Sequence, residues 1–411
     1  MKQFFPAALF LFVLAAAAAE PVTLSGKGRL VLNDALQMEW RHAPSWKGID
    51  LKQPEPKWNG DTISIAGKVS LSPDHKAALN ASLKKLSGNR WHYRGTASFE
   101  GRTDSVSMEI KLPVAIPADL EISGKPLALT GEKSDGVLYG TLRHLREKSL
   151  SIVAGDLLFT FSGTFRVKVN DQRVWSKEQC YSVHLIPELS KDGTGAELEF
   201  DIAAEPLRSM PIPLGSAANM GFRDDTANDG RGGWTDQGPG NDLRCMQPGD
   251  VTFSGIRFTV ADPDRNGGRS CAVRSSLRAF PAAGAVEVNS AEPHRYLYLL
   301  HAAAWVPQGG EPVGTVAVTY RDSSRQEFPV RAGVECGNWW RPMLDLPNGP
   351  IAWTGENGSG KVGLFASAFR LDAKPVARLE FLPGKGVWMV AAASFANLRP
   401  GRTAGKPIVI S

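Results

Sequence analysis

A two-residue rhythm of apolar and polar side chains constrains this chain more than any other feature. "GRLVLNDALQMEW" (28–40), "DTISIAGKVSLS" (61–72), "RWHYRGTASFEG" (90–101) and "SVSMEIKLPVAI" (105–116) each put their apolar residues on one side. Trp91, Tyr93 and Phe99 share a face, as do Val106, Met108, Ile110 and Leu112. Successive side chains of an extended strand point to opposite faces, so this alternation predicts half-buried strands, and the Gly, Asn and Asp residues between them predict turns. The pattern returns in "DGVLYGTLRH", "KSLSIVAGDLLFTFSGTFRVKV" and "CYSVHLIPEL". It returns again in "DVTFSGIRFTVADP", "HRYLYLLHAAAWV", "VGTVAVTYRD", "KVGLFASAFRL" and "ARLEFLPGKGVWMVAAASFA". No regular strand–helix alternation accompanies it, which argues against Rossmann and TIM-barrel architectures. The expected fold class is all-β, with two β-sandwich domains, the second a jelly roll.

One segment breaks the rhythm. "SPDHKAALNASLKKLSG" offers Ser72 as N-cap, Pro73 at the first helical position and Gly88 as a stop, with Ala78, Leu79, Leu83 and Leu86 along one stripe. Those signals predict a short helix over 73–87. Further on, "RSMPIPLGSAANMG" interrupts the periodicity with prolines and small residues, which places a domain boundary near residue 207. The expected division is therefore a leader over 1–19, a first sandwich over 20–206 and a second over 207–411.

The leader follows from Lys2, the apolar run from Phe4 and the small residues Ala17, Ala18 and Ala19 before Glu20. This is the layout of a secretory signal peptide. No later segment approaches the roughly 20 apolar residues that span a bilayer, so the mature chain is expected to be exported without a membrane span. A net charge of +5 over 411 residues, with acids interspersed among the bases, gives no basic stripe for nucleic acid. Cys180, Cys245, Cys271 and Cys336 form no CxxC pair and no zinc spacing. In an oxidising compartment, Cys245 and Cys271 flank two successive predicted strands and are the expected disulfide pair.

From about 208 to 399 the chain resembles a galactose-binding-like β-sandwich, of the kind attached to secreted bacterial glycosidases and other polysaccharide-degrading proteins. The resemblance is carried by "IPLGSAANMGFRDD", "GRGGWTDQGPGNDLR", "FSGIRFTVADPDRNGGRS", "YLYLLHAAAW", "VGTVAVTYRD" and "CGNWWRP", in that order. Residues 22 to 200 resemble, more weakly, the β-supersandwich domains that accompany glycosidase catalytic barrels. The resemblance implies a carbohydrate-binding role, a separate glycoside hydrolase as partner, and a structural calcium near the start of the second sandwich. The catalytic barrel itself has no counterpart.

The residues of "GFRDDTANDGRGGWTDQG" (221–238) support a calcium reading directly. Calcium takes six to eight oxygen ligands, and Asp224, Asp225, Asn228, Asp229 and Asp236 supply oxygens among glycines that let carbonyls turn inward. Asn241 and Asp242 follow closely. The spacing is not that of an EF-hand, and the alternative is a turn cluster whose carboxylates satisfy their own backbone. Glycosidic cleavage asks for two carboxylates about 5 to 9 Å apart. Pairs such as Asp225 with Asp236, or Asp322 with Glu335, arise by chance among 42 acids. No GxSxG elbow occurs, His301 lies within a predicted strand as a core histidine, and "GENGSGK" reads as a hairpin turn rather than a phosphate loop.

Sugar binding needs an aromatic face for the pyranose ring and planar polar groups for its hydroxyls. "CGNWWRP" offers Asn338, Trp339, Trp340 and Arg341, and Trp234, Trp305 and Trp353 also fall at predicted loops. In an extended Trp339–Trp340 pair the side chains diverge, so one can be buried while the other faces out. Trp40, Trp46 and Trp58 cluster around a Pro/Lys-rich segment expected to pack across a sheet edge. The function these features favour is non-catalytic carbohydrate binding by a secreted protein. The alternatives are a polysaccharide-active enzyme with acids at the domain junction and an envelope adhesion module that binds protein.

Overall fold

The computed structural model describes residues 20–398, apart from 43, 44, 46, 53–55, 73, 74, 115–117, 130–132, 156, 254, 289 and 373. The expected leader, Trp46 and Pro73 lie outside the described residues. The protein is all-β, its antiparallel sheets curled into half-barrels. Among the described residues the helical elements are three-residue 3₁₀ turns, and no helix is long and apolar enough to cross a membrane.

In the first half, two sheets are joined through one long strand, Leu157–Asp171. Its first part pairs with Glu147–Ala154 and Gly195–Pro206. Its second part pairs with Cys180–Ile186 and Val137–Gly140. Gly163 sits at the change of sheet, where an added Cβ would stand 2.9 Å from the Glu199 carbonyl oxygen. Beyond Cys180–Ile186 the second sheet continues through Val106–Pro113 and Leu36–His42. Inward faces match the alternation: Trp91, Tyr93, Val106, Met108, Ile110 and Leu112 are all buried. Across the core, Trp40 Nε1–H donates to the Tyr93 hydroxyl at 2.8 Å. Gly95 leaves the room for this bond, since a Cβ there would lie 2.5 Å from that hydroxyl. Phe200 stacks on Tyr93 at 5.0 Å and meets Phe161 edge-on at 5.5 Å.

The expected helix is a strand. His75–Lys85 pairs with Thr62–Ser72 on one side and Arg90–Phe99 on the other. Ala77, Leu79, Ala81 and Leu83 point into the core, a period-two set that the Ala/Leu/Lys content and Pro73 obscure. Two flanking strands with unpaired backbone groups outweigh a helix preference of a few tenths of a kcal/mol per residue.

In the second half, Tyr296–Ala304 is central, flanked by Gly360–Arg370 and Val387–Ala396. Every residue of Tyr296–Ala304 and of Val387–Ala396 is buried. A four-stranded sheet, ordered Val286–Glu287, Val376–Pro383, Pro312–Tyr320 and Arg325–Arg331, covers one face. The other face is covered by the hairpin Gly249–Phe253/Ile256–Val260 and by loop residues including Phe222, Trp234, Leu243 and Trp339. Core residues from 22 to 204 form one cluster, whereas Val153 packs with the residues from 207 onward.

His301 lies inside the central strand, fully buried. It accepts from Trp388 Nε1–H at Nδ1, 3.0 Å away, so the proton sits on Nε2, which faces the Glu335 carbonyl at 3.0 Å and Ser367 Oγ at 2.7 Å. Burial pushes its pKa down to about 3. His184, bonded to Ser107 Oγ, is pushed down to about 4 by burial and by Lys168, Arg41 and Lys111. Stability from both is complete above the ordinary histidine value near 6.5 and is lost as pH falls through the folded-state values. Between pH 6 and 5 the unfolding free energy is expected to fall by about 1.2 kcal/mol for each histidine. Denaturant titrations of the wild type and His184→Asn check this: the variant's slope is shallower, and an identical slope contradicts a neutral buried His184.

Candidate functional site

The glycine-rich stretch 221–238 is a lid on the central sheet. Phe222 and Trp234 insert into the core, Trp234 with no exposed surface. The Gly221 N–H bonds the Gly232 carbonyl at 2.6 Å, and the Trp234 N–H returns to Gly221 at 3.1 Å. Gly233 is needed where the two arms meet, because a Cβ there would lie 2.4 Å from the Asp224 Cβ. The Trp234 indole N–H is buried without a hydrogen-bond partner among the described residues.

Asp224, Asp229 and Asp236 come together in this lid, with carboxylate oxygens within 4.8 Å of one another. Asp224 is fully buried and accepts from Gly238 N–H at 2.8 Å and Thr226 N–H at 3.3 Å. Asp236 Oδ1 accepts from Asp229 N–H at 3.0 Å and Gly230 N–H at 3.2 Å. None of the three is ion-paired to a described basic residue, although Arg223 and Arg244 are nearby in sequence. Those arginines serve Asp225 and Asp242 instead: Arg223 Nε lies 3.1 Å from Asp225, and Arg244 binds Asp242 at 2.7 Å. Asp225 therefore turns away from the cluster, its carboxyl held below the usual range by Arg223. Asn228 is in the same turn, with φ of 62°, its backbone N–H donating to the Asp236 carbonyl. Asp242 accepts the Asp224 backbone N–H at 2.8 Å, which fixes where Asp224 points.

The sequence-predicted tryptophans separate by depth. Gly337–Arg341 is wedged between the end of the central strand and the start of Gly360–Arg370. Trp339 N–H bonds the Ala303 carbonyl at 3.0 Å, Gly363 N–H bonds Trp339 at 2.8 Å, and Arg341 N–H bonds Lys361 at 2.9 Å. Trp339 is buried edge-on to Trp234 at 5.2 Å, and Trp340 meets Trp339 at 5.6 Å while remaining half-buried. Asn338 is exposed, its Oδ1 accepting the Trp340 N–H at 3.0 Å. The exposed Arg341 guanidinium lies 5.7 Å from the Trp340 ring centre. Trp305, at the exit of the central strand, is 41 % exposed with Arg278 stacked at 4.0 Å on its ring. Arg278 also donates to the Thr235 carbonyl at 2.9 Å, tying this rim to the lid. Sequence reading gave no cue to Arg278, which stands 27 residues from its partner. Trp353 is buried beside Cys245.

All four cysteines are free thiols. Cys245 and Cys271 are not joined: Cys271 Sγ faces the Met220 carbonyl at 3.4 Å, while Cys245 packs against Trp353 and Gly355. The hairpin between them directs the two side chains to different neighbours. Of the acid pairs considered for catalysis, Asp322 and Glu335 are both engaged: Glu335 is buried and clasped by Arg331 at 2.6 Å, and Asp322 pairs with Lys374 at 2.9 Å.

No protein-family model matches the chain, and no curated protein matches it.

Replacing Asp224 with Ala removes the acceptor for Gly238 and Thr226 and is expected to cost about 2–3 kcal/mol. Asp225→Ala, at an exposed pair, is expected to stay within about 0.5 kcal/mol of wild type. Urea unfolding of the two variants tests the ordering, and equal losses would show that the lid is not organised around Asp224.

Proposed function

We propose that this protein is a secreted, non-catalytic carbohydrate-binding protein whose second half is a galactose-binding-like module. The observation that carries the reading is the wedged segment Gly337–Arg341. Backbone bonds to two core strands hold it, Trp339 locks it from below, and Trp340, Asn338 and Arg341 stay at the rim. An aromatic face beside an amide and a guanidinium is the chemistry a pyranose requires: apolar C–H groups against the ring, hydroxyls to planar polar groups. Trp305 with Arg278 adds a second indole at the exit of the same central strand. A separate glycoside hydrolase acting on the same polymer is the natural partner, and the leader-like N-terminus supports export to the periplasm or beyond.

The lid belongs to this proposal through its charge. Three carboxylates, one fully buried, share a space less than 5 Å across without a described basic partner. Uncompensated buried charge is costly, and a hard divalent cation relieves it with oxygen ligands alone. Asp224, Asp229 and Asp236 fit calcium as a structural ion that holds the lid against the core. Adding EDTA is expected to lower the melting temperature by several degrees, with calcium restoring it. An unchanged melting temperature removes calcium from the account.

Binding itself is tested on a glycan array followed by tryptophan-fluorescence titration. Trp340→Ala is expected to weaken a hit by at least about tenfold with little loss of stability. Silence across a broad array, or a hit indifferent to both Trp340→Ala and Trp305→Ala, contradicts the assignment of the rim.

A further inference from the structure

The first half carries a cleft of its own, independent of the rim just described. It opens on the outward face of the sheet formed by Leu36–His42, Val106–Pro113, Cys180–Ile186 and the second part of Leu157–Asp171. Its volume is about 640 Å³, within the range of small-ligand sites. The polar character follows from the strand pattern. Met108, Ile110, Val167, Val169, Val183 and Leu185 fill the core, so the alternate residues Glu109, Lys111, Lys168, Asn170, Ser182 and His184 face outward. On an ordinary exposed sheet face these side chains are solvated. Here Glu109, Asn170, Ser182 and His184 are each at least 90 % buried.

Most of these groups are committed. Arg41 pairs with Glu109 and with Glu39, Lys111 pairs with Glu178 at 2.6 Å, Gln172 donates to Ser182 at 2.6 Å, and His184 bonds Ser107. Two are not. Asn170 Oδ1 is buried and has no hydrogen-bond partner among the described residues, although a buried amide oxygen left unpaired costs about 1–3 kcal/mol. Lys168, two residues away on the same face, has no ion pair among the described residues, so the cleft carries one uncompensated positive charge. The pKa of His184 is lowered first by burial, and Lys168, Arg41 and Lys111 push it further in the same direction.

The third element is Trp175, at the lip of the cleft and 56 % exposed. Its ring is supported from behind by Gly136, where an added Cβ would lie 2.6 Å from the indole. The turn that carries it is anchored by Asp171, which is fully buried. Asp171 accepts from the Arg173 backbone N–H at 3.1 Å, from its guanidinium at 2.7 Å and from Ser134 N–H at 3.0 Å. A large, braced aromatic surface is thus presented to solvent beside an unsatisfied acceptor and a free cation.

From this combination we infer that the cleft is a second saccharide site, specific for an anionic sugar. The ring would lie on Trp175, a hydroxyl would donate to Asn170 Oδ1, and a carboxylate or sulfate would meet Lys168. A neutral sugar leaves Lys168 unused, and a small inorganic anion leaves Trp175 unused.

Isothermal titration of the full chain with trigalacturonate, a sulfated galacto-oligosaccharide and neutral galactotriose tests the inference and separates the two sources of negative charge. One anionic probe is expected to bind at least about tenfold more tightly than galactotriose. Trp175→Ala and Lys168→Ala should each weaken it by about tenfold, the latter also flattening the salt dependence, while Trp340→Ala leaves it unchanged. Protection of Lys168 from acetylation by the bound probe, read by mass spectrometry, gives the same answer without any variant. No binding of either anionic probe, equal binding of galactotriose, or loss of binding only in Trp340→Ala overturns the inference; the last would return the sugar to the second-half rim.

Discussion

The second half depends on a sheet that is buried on both faces. Tyr296–Ala304 and Val387–Ala396 expose no residue to solvent, so both of their faces must be covered by something apolar. The four-stranded sheet covers one face. The other has only a short hairpin and loops, and those loops must carry core residues to do the work of a missing sheet. This explains why a stretch with five glycines and four aspartates also holds Trp234 in the interior. It also explains why Trp339 is buried while its neighbour Trp340 reaches the rim. The rim at Trp340 is a consequence of how the core is closed.

The carboxylates follow from the same constraint. A loop pressed against a core cannot hydrate all its backbone N–H groups, and Asp224, Asp236 and Asp242 accept several of them. Turning acids inward for that purpose gathers negative charge under the lid. Arg244 neutralises Asp242. Asp224, Asp229 and Asp236 are left without a described basic partner; the backbone bonds they accept are those of a turn cluster, and the proposed calcium would neutralise the charge that cluster gathers.

Much of the fold was legible because alternation is local. The faces of Arg90–Phe99 and Val106–Pro113 can be read residue by residue, and the nearly continuous apolar runs "YLYLLHAAA" and "VWMVAAASFA", broken only by His301 and Ser394, suit strands covered on both sides. The segment 75–85 misled because Ala, Leu and Lys favour a helix when read alone, whereas Ala77, Leu79, Ala81 and Leu83 face one core once two strands flank them. The site was legible in part. "CGNWWRP" announces divergent indoles, but nothing in it says that Ala303 and Gly363 will grip its backbone. Arg278 on Trp305, and the meeting of Arg41, Glu109, Lys168 and Trp175, depend on strand pairings between distant segments that no local pattern encodes.

The rim and the lid share one mechanical origin, so a single experiment reaches the centre of the account. Hydrogen exchange by mass spectrometry on the full chain, with and without the best-bound neutral glycan, reads both the wedge and its support. The account predicts added protection in peptides covering Gly337–Arg341 and the exit of the central strand at Trp305, with the first half unchanged. Protection confined to the first half, or none at Gly337–Arg341 under saturating glycan, would contradict it.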